Sequence, residues 1–106
     1  MILATARELR AHAILVEASP KADATVNGPD VPIRLKFNVR IDGERSRVTL
    51  IRPAGLAKQL TLDQQSSPDV LTTKATALTA GKYKLQWQVL AADGHISRGE
   101  IPFTVQ

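Results

Sequence analysis

A strict two-residue alternation, recurring in separate stretches, constrains this chain more than any other feature. In "VPIRLKFNVRI" the residues Ile33, Leu35, Phe37 and Val39 alternate with Arg34, Lys36, Asn38 and Arg40. Successive side chains of an extended backbone point to opposite faces, so such a stretch buries one face and wets the other. "KYKLQWQVLA" repeats the pattern, with Tyr83, Leu85, Trp87 and Val89 opposed to Lys82, Lys84, Gln86 and Gln88. "GEIPFTV" puts Ile101, Phe103 and Val105 on one face, and "HAILVEA" and "RSRVTLIR" are shorter apolar runs with β-branched content. Weaker strands are expected around Leu60 to Leu62 and Val70 to Leu78. No segment sustains a helical period.

Turn chemistry separates these runs. "SPKAD", "NGPD", "DGE", "RPAG", "SSPD", "TAGK" and "DGH" are clusters in which Gly or Asn supplies positive φ and Pro fixes it negative. About seven short strands punctuated this way predict an all-β domain, a single Greek-key barrel or sandwich. A chain of 106 residues suffices for one such domain with its own core. The absence of cysteine excludes a disulfide scaffold, a zinc-thiolate site and a cysteine nucleophile. No apolar run approaches the roughly 18 residues of a membrane span, so no direct membrane insertion is expected. In "MILATARELRA", residues 1–11, Arg7, Glu8 and Arg10 interrupt the roughly 7–15 apolar residues that an intact signal peptide needs. This stretch reads as a leader or signal-peptide remnant ahead of a domain spanning residues 12–106.

Two places are candidates for metal chemistry. Asp93 and His95 stand two apart around Gly94, and extended backbone would put both side chains on one face. A carboxylate oxygen and an imidazole nitrogen that converge suit a divalent first-row metal, whereas Asp-Gly by itself is an ordinary hairpin signal and leaves a plain surface turn open. His12 is the only other histidine. Within a chain it is an ordinary strand-end residue. At a chain terminus its α-amine and Nδ1 form a chelate, and with His95 and Asp93 they make a nitrogen-rich set suited to Cu(II).

The joint order of several motifs resembles the CopC family of periplasmic copper-binding proteins. These motifs are His12-Ala13, the Ser19-Pro20 turn, the Leu35-x-Phe37 strand, Gly81-x-Tyr83-x-Leu85-x-Trp87, Asp93-Gly94-His95, and Gly99-x-x-x-Phe103. Together they span nearly everything from His12 to Val105. The resemblance implies a Greek-key barrel of cupredoxin- or immunoglobulin-like shape, exported to the bacterial periplasm. It implies one Cu(II) per chain, held by the His12 amine and imidazole, Asp93 and His95. It also implies a monomer that carries or buffers copper without catalysis, with an inner-membrane transporter of the CopD type as partner. Many relatives have a Met-rich segment for Cu(I); this chain has Met1 alone, so no Cu(I) site is expected. Relatives often carry an acidic residue just after the Leu-x-Phe strand, where this chain has Asn38 and Val39.

Other chemistries fit less well. Arg34, Lys36, Arg40, Arg45, Arg47 and Arg52 form a basic surface around the second and third strands. They read as a solvated face that discourages edge pairing. A nucleic-acid track would want exposed aromatics for stacking, and Phe37, Tyr83 and Trp87 fall on apolar faces. The net charge of +4 is too dispersed to call for such a partner. No serine sits in a nucleophile elbow. A copper oxidase with a histidine brace is disfavoured by Asp93, because an anionic oxygen ligand resists reduction of Cu(II). A metal-free immunoglobulin-like interaction module is the remaining alternative.

Overall fold

The computed structural model describes residues 13–106, so the expectations for residues 1–11 and for His12 lie outside the described residues. The described chain is all-β. Its strands are β1 (Leu15–Ser19), β2 (Ala24–Val26), β3 (Val31–Phe37), β4 (Ile41–Ile51), β5 (Ala57–Leu60), β6 (Val70–Ala75), β7 (Gly81–Ala91) and β8 (Ile96–Val105). They form a three-stranded sheet ordered β1-β3-β6 and a five-stranded sheet ordered β2-β8-β7-β4-β5. Every pairing is antiparallel except β2 with β8. The two sheets face each other as a sandwich, and the alternating apolar residues meet between them.

Each alternation seen in the sequence buries the face it should. Ile33, Leu35 and Phe37 of β3 are at most 2% exposed, and so are Leu85 and Val89 of β7 and Ile101, Phe103 and Val105 of β8. Burying a side chain of this size stabilises the fold by about 1.5–3 kcal/mol. The aromatics lock the layers together. Phe37 meets Trp87 edge-on, with centroids 5.2 Å apart, and Tyr83 stacks on Phe103 at 5.7 Å. The Tyr83 hydroxyl donates to Thr79 O and accepts from Thr79 N–H, so its polar end is satisfied at the rim of the core. The indole of Trp87 covers Gly99 on β8, where a Cβ would fall within 2.3 Å of the ring. A side chain at position 99 would displace the largest aromatic in the core.

The structure corrects the segmentation in four places. "VPIRLKFNVRI" is not one strand: β3 ends at Phe37, and the chain changes sheets before Ile41. "DGE" is not a turn between strands. It sits inside β4 as a bulge, with pairing to β7 interrupted between Asp42 and Arg47. The short parallel strand β2 adds an element, and β5 lies earlier than Leu60 to Leu62. The change of sheet also divides the basic surface. Arg34 and Lys36 belong to the three-stranded sheet, whereas Arg45, Arg47 and the segment leading to Arg52 belong to the five-stranded one. These cations therefore do not form one face. Arg34 pairs with Glu17, and Arg45 with Asp42.

Candidate metal centre

The hairpin loop joining β7 to β8 carries Asp93 and His95, and its backbone bonds show why an Asp-Gly pair stands there. Gly94 N–H donates to Ala91 O at 2.9 Å, and Ala91 N–H donates to His95 O at 2.8 Å. This is a tight turn over Ala92 and Asp93, followed by a residue in the left-handed region. Gly94 has φ +93°, a conformation that costs glycine nothing and any other residue strain. Nothing lies within 4 Å of where its Cβ would be, so the requirement is conformational and not steric.

The same turn brings the two candidate ligands together. Asp93 Oδ1 accepts the backbone N–H of His95 at 3.1 Å and lies 3.3 Å from His95 Nδ1. Residues 92–95 lie outside the strands, so the pair shares a side because of the turn and not because of strand alternation. Both side chains are nearly half exposed, 44% for Asp93 and 48% for His95. The hydrogen bond from the His95 backbone holds the Asp93 carboxyl below the usual carboxylate range, and the imidazole adds to this. Asp93 is therefore an anion across the physiological range. The contact brings a carboxylate oxygen and an imidazole nitrogen to one side of the loop, the two donor types that suit a divalent first-row metal.

The chain's first described residues come to the same place. Ala13, 6% exposed, donates its N–H to Ser97 Oγ at 3.2 Å, and Ser97 is two residues beyond His95 on β8. Ile14 N–H donates to Asn38 Oδ1 at 2.7 Å, and Asn38 N–H returns a bond to Ile14 O at 3.0 Å. Neither Ser97 nor Asn38 stood out in the sequence as part of a site. A usable signal exists for Ser97: it is polar at an inward-facing position of a strand whose other inward residues are Gly99, Ile101, Phe103 and Val105. Among the described residues no cluster of three or more His, Asp and Glu side chains occurs, so Asp93 and His95 stand as a pair.

The sequence profile of the CopC domain matches residues 15–106. The chain belongs to the CopC family. It is similar to the copper resistance protein C of Xanthomonas campestris pv. juglandis, 29% identical over 104 residues that span 91% of this chain and 81% of that protein. Protein YobA of Escherichia coli K12 is 28% identical over 102 residues, spanning 91% of this chain and 80% of YobA. The crystal structure of CopC from Methylosinus trichosporium OB3b matches with a TM-score of 0.80 at 32% identity, over 90% of this chain and 94% of that one. PcoC of Escherichia coli, described as a methionine-rich copper resistance protein, matches with a TM-score of 0.74 over 91% of this chain and all of its own. At 24% identity PcoC supports the fold alone. The contrast with a methionine-rich protein is plain, since this CopC-family chain has a single methionine.

Proposed function

We propose that this protein binds one Cu(II) ion in the periplasm and sequesters it or passes it on, without catalysis. The ligands are Asp93, His95, and the α-amine and Nδ1 of His12, in a chain processed between Ala11 and His12. The observation that carries this reading is the exposed Asp93–His95 pair, with Ala13 bonded to Ser97 on the strand that begins beside it. Residue 12 is one peptide bond from that Ala13 nitrogen, which supports its joining the pair.

The donor set suits the ion. Imidazole and amine nitrogens with one carboxylate favour Cu(II), which stands at the top of the affinity order for such ligands. Cu(I) prefers thioethers, and methionine is absent beyond Met1. A carboxylate ligand stabilises the higher oxidation state, so the bound ion resists reduction. That favours a carrier, one that hands copper to an inner-membrane transporter of the CopD type, over an oxidase. A monomer suffices, because all the proposed ligands come from one chain.

The test is a Cu(II) titration of chains beginning at Met1 and at His12, each with and without His95→Ala. The chain beginning at His12 is expected to take one ion far more tightly than the one beginning at Met1. In it, His95→Ala is expected to weaken binding by about 100-fold, the loss of one nitrogen ligand at roughly 2.7 kcal/mol. Trp87, the only tryptophan, gives a single-site fluorescence signal for the titration. Unchanged affinity in His95→Ala would sink the assignment.

A further inference from the structure

We propose that Ser97, together with Asn38, is a positioning residue for the copper site. The two side chains hold the backbone of Ala13 and Ile14 beside the loop, so that a terminal amine at residue 12 meets Asp93 and His95 without a search. This rests on the copper reading above and deepens it.

The sheet ladder does not reach the first described residues. The β1–β3 ladder starts at Leu15 opposite Phe37, so Ala13 and Ile14 precede the regular strand. Their backbone groups still need partners, above all the N–H of buried Ala13. Side chains supply them. Ser97 Oγ accepts from Ala13, and Asn38 Oδ1 accepts from Ile14 while its own N–H binds Ile14 O. Ile14 itself is 55% exposed, so packing of its side chain contributes little to holding this stretch. The bonds come from two directions: Ser97 lies on β8 of one sheet, and Asn38 directly follows β3 of the other. The first described residues are thus pinned across the mouth of the sandwich, with one pin two residues from His95.

Such pins matter for a chelate made by a chain terminus. A free terminus samples many conformations, and each residue that must be ordered when the ion binds weakens the affinity. Partners that orient ligands, without being ligands themselves, commonly change metal affinity by about 10–100-fold. Ser97 and Asn38 act on the segment that leads to the amine, so their effect runs through that ligand and not through the Asp93–His95 pair.

The test uses the chain beginning at His12, with its α-amine free or acetylated, and reads Cu(II) affinity by competition with a chelator of known strength. Ser97→Ala is expected to weaken binding about tenfold in the free-amine chain and less than about twofold in the acetylated one. Ser97→Thr keeps the hydroxyl and is expected to retain affinity. Asn38→Ala, at an exposed site, repeats the test from the other pin, and melting of the metal-free protein shows that each variant is folded. Equal losses with the free and acetylated amine would overturn the proposal, because a general structural role predicts them. So would unchanged affinity in both Ser97→Ala and Asn38→Ala alongside a large loss in His95→Ala, an outcome that leaves the copper reading intact. If His95→Ala also changes nothing, the copper reading itself fails.

Discussion

The chain contains two Asp-Gly pairs at the same end of the five-stranded sheet, Asp42-Gly43 in β4 and Asp93-Gly94 after β7, and they are put to opposite uses. Asp42 pairs with Leu90 across the ladder, next to Ile41 with Ala91, so the two are close neighbours. Asp42 is closed off. Its carboxylate accepts from Glu44 N–H, Arg45 N–H and Arg45 Nη1, and Gln65 Oε1 caps Gly43 N–H. Ser46 ties the bulge down, donating to Asp42 O and accepting from Leu90 N–H. Asp93 faces an imidazole instead of a guanidinium, with open space over Gly94. A guanidinium is always a donor and never a ligand, whereas a neutral imidazole is a common metal ligand. The same dipeptide makes a sealed bulge in one place and a candidate site in the other. The residue that pairs with the carboxylate decides which.

The largest expected effect separates the two aspartates. In the chain beginning at His12, Asp93→Ala is expected to weaken Cu(II) binding by roughly 10–100-fold, whether the carboxylate is a ligand or orients His95. Asp42→Ala should leave copper affinity unchanged and lower the melting temperature of the metal-free protein. A copper titration and a thermal melt on each variant suffice. An equal loss of copper affinity in both would erase the distinction.

The glycines give the next contrast. Gly94→Ala puts a Cβ into free space but at φ +93°, which is expected to destabilise the fold by about 1–2 kcal/mol through backbone strain. At Gly43 the Cβ would fall 2.6 Å from Gln65 Oε1, the far end of a flexible side chain. Gly43→Ala therefore swings Gln65 away and forfeits its bond to Gly43 N–H, along with its weaker bonds to Ser67 O, Pro68 O and Val70 O. The expected loss is about 1 kcal/mol, typical of one net hydrogen bond. Denaturant unfolding of Gly94→Ala, Gly43→Ala and the combined Gly43→Ala, Gln65→Ala variant checks both mechanisms. Only the Gly43 effect should vanish when Gln65 is already absent.

These contrasts mark what the sequence could and could not convey. Strand faces were legible because burial follows a period of two, and every apolar residue named on β3, β7 and β8 lies inward. The change of sheet after Phe37 was not. Ile33, Leu35, Phe37, Val39 and Ile41 keep one parity straight through it, and Asn38 at the break is bonded to Ile14, a partner 24 residues away. The bulge at Asp42 was hidden for a similar reason, since Gln65, which caps Gly43 N–H, lies 22 residues beyond Gly43. β2, at three residues, is too short to show a period. Asp93 and His95 were legible as a pair, though the turn unites them and not strand alternation. Ser97 is marked only by being polar on the inward face of β8; its partner, a backbone N–H, is announced by no residue type.

The smallest expected effect concerns pH, and it sharpens the contrast between protein stability and metal release. Asp42 is held below the usual carboxylate range chiefly by its hydrogen bond from Arg45, Asp93 by the His95 backbone, and Glu100 by Gln86 and then Lys84. A depressed carboxylate contributes stability that is fully present above its unfolded-state pKa and is lost as pH falls through the lower folded value. All three contributions are therefore intact from neutrality down to the ordinary carboxylate range and disappear only below it. These groups are exposed, so each effect is small. The melting temperature of the metal-free protein should show no carboxylate-driven decline until the pH falls below about 4. Asp42→Asn and Asp93→Asn should both flatten the decline that follows. Copper should leave much earlier, because protons compete with the ion for its ligands. Loss of copper from a protein whose metal-free melting temperature has not moved would assign the release to proton competition at the ligands. A melting temperature that falls in step with copper release would instead tie the loss of metal to unfolding.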